Sequence, residues 1–103
     1  MSEAKFYVGQ IIVHNKFNYR GVIFGVDNRF MHTEQWYEDM AKSKPPKDKP
    51  WYHVMVDKAG HMTYVAEQNL KQSEDTGQID HPMLGFYFKN YDGVRYGVRK
   101  NHH

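Results

Sequence analysis

With 103 residues, no cysteine and a formal net charge of +2, the chain has room for one domain with a modest core, which we expect to cover residues 1–103. The lack of cysteine excludes disulfides, thiolate zinc sites and cysteine nucleophiles, and no apolar run approaches the roughly 20 residues of a membrane-spanning helix, so we expect an intracellular protein, cytoplasmic or nuclear. Because strong phosphate binders cluster Lys and Arg on one face, so small a net charge is only a weak indication of nucleic-acid binding.

The N-terminal part of the chain predicts two strands. Residues 6–13 are rich in β-branched side chains, and the turn-like residues 15–18 follow them. Residues 21–26 alternate Val, Phe and Val with Gly, Ile and Gly, which suits a strand that bends sharply or is closely approached by another backbone. Sharp bends of this kind are typical of a small barrel.

A short helix and a long loop are predicted next. Thr33 can cap a helix over residues 34–40, in which Trp36 and Met40 share one face. Residues 41–50 contain three prolines among four lysines, so they cannot form a central strand. We expect them to be an exposed loop and the best candidate for a mobile segment.

The middle of the chain predicts a hairpin. Residues 51–56 and 61–65 are strand-like, and residues 57–60 between them end in a glycine that can supply the positive φ of a turn. Residues 66–70 fit a single helical turn, and residues 71–78 read as a polar loop.

The C-terminal part predicts a second helical turn and a last strand. Pro82 fits a helix first turn, and Asp92 with Gly93 turns the chain into a strand over residues 94–98. About five short strands in so small a chain favour a mainly β fold, a small SH3-like antiparallel barrel with one or two short helices. The apolar positions that recur at the strand period, and that we expect to supply much of the core, are Val8, Ile12, Val22, Phe24, Val54, Val56 and Val65.

Four blocks of the sequence carry a family resemblance. They are FYVGQIIVH at residues 6–14, YRGVIFGVD at 19–27, PWYHVMVD at 50–57 and YVAEQNL at 64–70. In this order and spacing they resemble the YccV/HspQ-like family, which is named after hemimethylated-DNA-binding proteins. Later pieces such as His81-Pro82 and Tyr87-Phe88 are similar to the form of this domain at the end of certain F-box proteins.

The resemblance implies an SH3-like barrel and a binding role without catalysis. It also implies two kinds of partner: DNA, including hemimethylated DNA, or a protein such as a subunit of an ATP-dependent protease or a ubiquitin ligase. Fold alone does not choose between them. An aromatic share of 16% favours a protein groove, whereas the family name favours DNA.

Seven residues are candidates for contacts to DNA or to a protein partner: Tyr19, Arg20, Arg29, Trp36, Trp51, Tyr52 and His53. Strand alternation places Trp51 and His53 on one face and Tyr52 on the other, so at least one of these faces must be core. Arg20 suits a bidentate contact to phosphate, guanine or carboxylate, and a structural pair with Asp27 or Asp57 is the alternative. Trp36 is either the leading partner anchor or part of the packing of the helix.

The sequence predicts no enzyme, metal site or cofactor. Its serines, Ser2, Ser43 and Ser73, lie in the tail or in polar loops without a nucleophile motif. Its internal strand histidines lack the spacing of metal ligands. His102 and His103 are set aside as remnants of a tag or truncation.

Overall fold

The computed structural model describes residues 3–99 as a five-stranded antiparallel sheet, a two-stranded sheet and two short α-helices. The elements in chain order are β1 (Ile11–His14), β2 (Arg20–Asp27), α1 (Glu34–Met40), β3 (Trp51–Val56), β4 (Met62–Ala66), a 3₁₀ turn (Glu67–Asn69), β5 (Leu70–Gln72), α2 (Leu84–Tyr87), β6 (Phe88–Tyr91) and β7 (Tyr96–Val98). The predicted mainly β fold with one or two short helices is thereby confirmed. Ser2, His102 and His103 lie outside the described residues.

The strand order of the larger sheet is β4-β3-β2-β1-β5, so β4 and β5 are its edges. Only the 3₁₀ turn Glu67–Asn69 separates these edge strands along the chain. Because three residues carry the chain from one edge to the other, the sheet must curl back on itself. The strand pairing in residues 3–99 nevertheless leaves the sheet open rather than closed, so the SH3-like barrel stays a prediction.

The strands differ from the sequence prediction at the start of β1 and in two additional strands, β5 and β6. The first strand begins only at Ile11, because Gly9 before it takes a positive φ of 95° that interrupts an extended strand. The predicted polar loop contains β5, which pairs with β1 and is too short and polar to show a strand pattern. The last strand pairs with β6, in a stretch assigned to a helical turn and loop from sequence.

Both faces of the larger sheet are buried. On one face lie Ile12, Ile23 and Val54, and on the other lie Ile11, Val22 and Met55, which are cross-strand neighbours. The second face is covered by residues from the C-terminal part, namely Ile79, Phe88 and Tyr96. Two covered faces explain why consecutive residues of one strand are buried together.

The predicted core is correct at five positions and shifted at two. Ile12, Val22, Val54, Val56 and Val65 are buried. Val8 and Phe24 are half-buried and only pack against the core clusters. Phe24 packs on the same face as Val22, and Ile23 is buried on the opposite face, just before the register shift between β2 and β3 at Ile23 and Gly25.

Helix α1 begins as predicted and packs on the sheet with a third cluster. The Thr33 hydroxyl accepts a hydrogen bond from the Trp36 backbone N–H at 3.0 Å and caps the helix. Phe30 and Tyr37 pack around Trp51, with ring centroids 4.9 and 6.4 Å from it. This packing places α1 beside one end of β3.

The loop at residues 41–50 is anchored rather than free. The Tyr37 hydroxyl donates to the Pro45 carbonyl at 2.7 Å, and the Trp51 indole N–H donates to the Pro46 carbonyl at 3.0 Å. The Lys44 ammonium lies 3.1 Å from the Glu38 carboxylate, on α1. These contacts join the loop to α1 and β3, and the mobility expected of it stays a prediction.

Candidate binding groove

An open groove of about 700 Å³ lies where α1, the β1–β2 turn and the β3–β4 hairpin meet. We call it the aromatic groove. The side chains that define it are His14, Phe17, Tyr19, Phe24, His32, Trp36, Met40, Trp51, His53, Met62, Thr63 and Tyr64. Lys16 and Lys42 also line it. A concave, largely apolar site with a few polar groups is the usual form of a ligand or peptide site.

Four rings of the aromatic groove pack against one another. Trp36 meets Trp51 and Tyr64 edge to face, with centroids 6.1 and 5.6 Å apart. The His32 ring stacks on the indole of Trp36 at 4.9 Å and 24°. Trp51 is 1% exposed and forms the floor, whereas Trp36 is half-buried. Trp36 is therefore held in place and still presents part of its ring to the groove.

A hydrogen-bond network centred on Asp27 fixes the groove residues Tyr64 and His53. The Tyr64 hydroxyl donates to Asp27 Oδ2 at 2.6 Å, and His53 Nε2 donates to the same oxygen at 3.1 Å. The Met31 backbone N–H donates to the Tyr64 oxygen at 3.0 Å. Burial, and then the bond to Asp27, raise the pKa of Tyr64 above its ordinary value, so the hydroxyl stays a neutral donor. The network holds the rings of Tyr64 and His53 in a fixed orientation.

The β1–β2 turn is positioned by His14 and Tyr19. The Tyr19 hydroxyl and the Thr63 hydroxyl form a hydrogen bond of 2.9 Å across to β4. Buried His14 accepts on Nδ1 from the backbone N–H groups of Lys16 and Phe17, at 3.1 and 3.2 Å. The Phe17 ring stacks on His14 at 4.7 Å and is 73% exposed. The turn thus presents an apolar ring and a lysine beside the aromatic groove.

The structure brings four of the seven predicted contact residues together in the aromatic groove: Tyr19, Trp36, Trp51 and His53. Tyr52 lies on the opposite face of β3, is fully buried and donates its hydroxyl to Glu67 Oε2 at 2.5 Å. In this conformation neither Trp51 nor Tyr52 offers surface to a large partner, because both side chains are packed in the interior.

Arg20 and Arg29 lie away from the aromatic groove and differ from each other. The Arg20 guanidinium pairs with Asp57 at 3.1 Å, which is one of the two structural partners considered from sequence. It also donates to three backbone carbonyls, those of Asp75, Gly77 and Gln78. Arg29 is exposed and makes no hydrogen bond or ion pair within residues 3–99.

Tyr64 and His32 are groove residues that the sequence reasoning missed. Tyr64 could have been found, because the turn at residues 57–60 places it directly opposite His53 in the β3–β4 register. His32 lies in the irregular segment between β2 and α1, where the sequence has no helix or strand period from which the direction of a side chain could be predicted. Within the described part of the chain, no group of three His, Asp or Glu side chains could hold a metal ion.

Comparison with known proteins identifies the family. The family described as "Hemimethylated DNA-binding protein YccV like" matches residues 4–95. The chain is 32% identical over 91 residues to F-box only protein 21 of Homo sapiens and of Pongo abelii, and 31% identical to that of Mus musculus. Each match covers 86% of this chain and 14% of the relative, so the chain spans a small part of their length. No solved structure matches the chain. Separately, none of the helices described in residues 3–99 is long and apolar enough to cross a membrane. The chain belongs to the YccV-like family of hemimethylated-DNA-binding proteins.

Proposed function

We propose that the chain is a non-catalytic protein-binding module that docks a peptide segment of its partner in the aromatic groove. The observation that carries this proposal is the groove itself, about 700 Å³ of open space lined by fixed rings and by exposed methionines. Aromatic and methionine side chains are enriched in protein interfaces, where a partner removes them from water. Trp36 is the leading anchor, since its ring is pre-positioned and half-exposed.

The distribution of basic side chains favours a protein over a phosphate backbone. Two of the four lysines in the loop at residues 41–50 are neutralised by α1, Lys44 by Glu38 and Lys47 by Glu34. Lys47 also lies over the Tyr37 ring at 4.3 Å. Phosphate binding gains free energy when many clustered Lys and Arg side chains displace counterions from the nucleic acid. Lysines that are already paired with carboxylates contribute little to this gain.

The relatives supply the setting of this proposal. They are named as F-box only proteins, and the match covers one segment of each of them. Because F-box proteins belong to ubiquitin ligases, we propose that the partner is a protein of regulated proteolysis. The chain would bind it as an adaptor or specificity factor. We also propose that the chain is one domain whose curled sheet is an SH3-like barrel, which the short connection from β4 to β5 supports.

The test is selection from a displayed library of random peptides on the full chain. Selected peptides should bind wild type, and Trp36→Ala should lower their affinity by about 2 kcal/mol. Met40→Ser provides a second groove variant that should fold, because Met40 is 61% exposed. Phe86→Ala is the matched control, an exposed ring outside the groove. Peptides that bind all variants equally, or no selected peptides, would contradict the proposal.

DNA binding is the second candidate, favoured by the description of the matching family. It predicts affinity for a hemimethylated duplex above that for fully methylated and unmethylated duplexes, and a steep loss with salt. Exposed Arg29 is the residue to replace, because Arg20 is fully engaged within the chain. Equal, salt-independent or absent binding of all three duplexes would remove this candidate.

A further inference from the structure

From the charge around the aromatic groove we infer the chemistry of its occupant: an acidic peptide segment that carries a large apolar or aromatic side chain. This inference rests on the proposed protein-binding function and narrows it to one class of partner sequence. It is carried by two observations: within residues 3–99 no carboxylate is among the lining residues, and the lining combines two lysines with apolar and aromatic side chains.

The described lining of the aromatic groove contains no carboxylate side chain. Among residues 3–99, no Asp or Glu lines it, although the chain contains 12 acidic residues. Its basic members are two lysines and four histidines: Lys16, Lys42, His14, His32, His53 and His61. An occupant with negative charge is therefore attracted to the two lysines and meets no carboxylate among the lining residues of 3–99.

Of the carboxylates beside the groove, Glu34 and Glu38 form ion pairs, whereas Asp27 and Asp39 accept hydrogen bonds. Glu34 and Glu38 on α1 pair with lysines of the following loop. Asp27 touches two groove residues, but its carboxylate accepts from Tyr64 and His53. Within residues 3–99, Lys16 and Lys42 make no ion pair and are exposed. These two ammonium groups are left to face an incoming ligand.

The apolar side chains of the groove indicate that its occupant carries an apolar group as well as negative charge. Met40 and Met62 are 61% and 41% exposed at its edge, and Trp36 presents part of its ring. Methionine side chains adapt to irregular apolar partners, and indole offers a large rigid surface. A segment bearing only carboxylates would leave these apolar side chains exposed to water, so the occupant needs an apolar side chain to cover them.

The experiment compares four fluorescein-labelled octapeptides by fluorescence polarisation with the full chain. The first has a central Leu-Trp pair flanked by three Asp or Glu on each side. The second and third carry Lys or Ser at the flanking positions, and the fourth keeps the acidic flanks around Gly-Ser. The first should bind about tenfold tighter than the Lys peptide, as expected for two partly screened charge pairs, and the fourth should lose binding.

Charge reversal tests the named lysines. The double variant Lys16→Glu/Lys42→Glu should invert the preference, so that the Lys-flanked peptide binds better than the acidic one. Its matched control is Lys49→Glu/Lys71→Glu, which changes net charge equally at exposed positions outside the groove and should keep the wild-type order.

The outcomes separate the inference from the proposed function. Equal affinity for the acidic, Ser and Lys peptides overturns the charge preference and leaves peptide binding standing, as does a preference unchanged by the Lys16 and Lys42 reversal. If none of the four binds and library selection also yields no groove-dependent peptide, both proposals fail. Tighter binding of a single-stranded oligonucleotide that competes with the acidic peptide overturns the inference in favour of nucleic acid.

Discussion

Arg20 shows how one side chain can join distant segments of the chain. Its guanidinium contacts Asp57 at 3.1 Å and the carbonyls of Asp75 and Gly77 at 2.9 and 2.8 Å. The planar fork of arginine makes this possible, since its five donors point in fixed directions toward several acceptors. A site that looks from sequence like a phosphate contact is thereby occupied by the protein's own backbone.

We expect Arg20→Ala to lower the free energy of unfolding by about 2 to 3 kcal/mol, because hydrogen bonds to a charged group are lost and the Asp57 carboxylate loses its partner. Urea unfolding measures the loss. Arg29→Ala is the control and should change stability by less than about 0.5 kcal/mol. Equal effects of the two substitutions would show that the Arg20 network is not stabilising.

His14 makes stability depend on pH. Its burial, and then the charge of Lys16, lower the pKa of His14 below the ordinary value, and Nδ1 must stay unprotonated to accept two backbone N–H groups. At a pH well above about 6.5, His14 is neutral in both the folded and the unfolded state and the contribution is complete. As the pH falls below that value, the unfolded state takes up the proton first, so stability is lost until folded His14 also protonates.

The measurement is Tm at about pH 7.5 and about pH 5.5 for wild type and for His14→Asn, whose amide oxygen can accept but does not titrate. Wild type should lose more Tm on acidification than the variant. The remaining histidines are common to both proteins, so the same loss in both would assign the pH dependence to residues other than His14.

At the scale of elements, Gly9 joins the C-terminal hairpin to the larger sheet. Its N–H donates to the Ile23 carbonyl at 2.8 Å, and its carbonyl accepts from the Tyr96 N–H at 2.9 Å. A Cβ at Gly9 would overlap the Tyr96 carbonyl oxygen. Only glycine allows both the positive φ and this close approach of two backbones.

Gly9→Ala should therefore destabilise the protein more than Gly60→Ala. Gly60 also has a positive φ, 73°, but a Cβ there meets open space, so its replacement costs only the backbone strain of about 1 kcal/mol. Urea unfolding of both variants separates strain from overlap. Equal losses would show that the contact between Gly9 and Tyr96 relaxes without cost.

At the scale of the whole molecule, the C-terminal part contributes to the core by covering one face of the larger sheet. Ile79, Phe88 and Tyr96 cover the sheet face formed by Ile11, Val22 and Met55. The Tyr96 hydroxyl also accepts from the Ile79 backbone N–H at 2.8 Å. Without this cover, a large apolar face of the sheet would be exposed to water.

A chain that ends at residue 78 should therefore lose cooperative thermal unfolding and bind a hydrophobic dye, as measured by circular dichroism and fluorescence. A chain that ends at residue 99 serves as the control and should unfold like the full chain. Cooperative unfolding of the shorter chain would show that the sheet folds without its C-terminal cover.

Local features of the fold are determined by the sequence itself. The hairpin around residues 57–60 and the helix capped by Thr33 form as predicted, because turn and cap residues act on their immediate neighbours. The family was also recognisable from four blocks of residues. Trp36 and His53, two of the candidate contact residues, both line the aromatic groove, and whether they contact a partner stays a prediction.

Only the tertiary structure decided which candidate side chains are accessible. Alternation along β3 separates Trp51 from Tyr52 but does not tell which face is covered, and packing from distant segments buries both. The partner of Arg20 and the place of Tyr64 beside Trp36 depend likewise on residues far apart in the chain. Burial and long-range pairing are properties of the assembled sheet and its cover, so a pattern confined to one strand does not contain them.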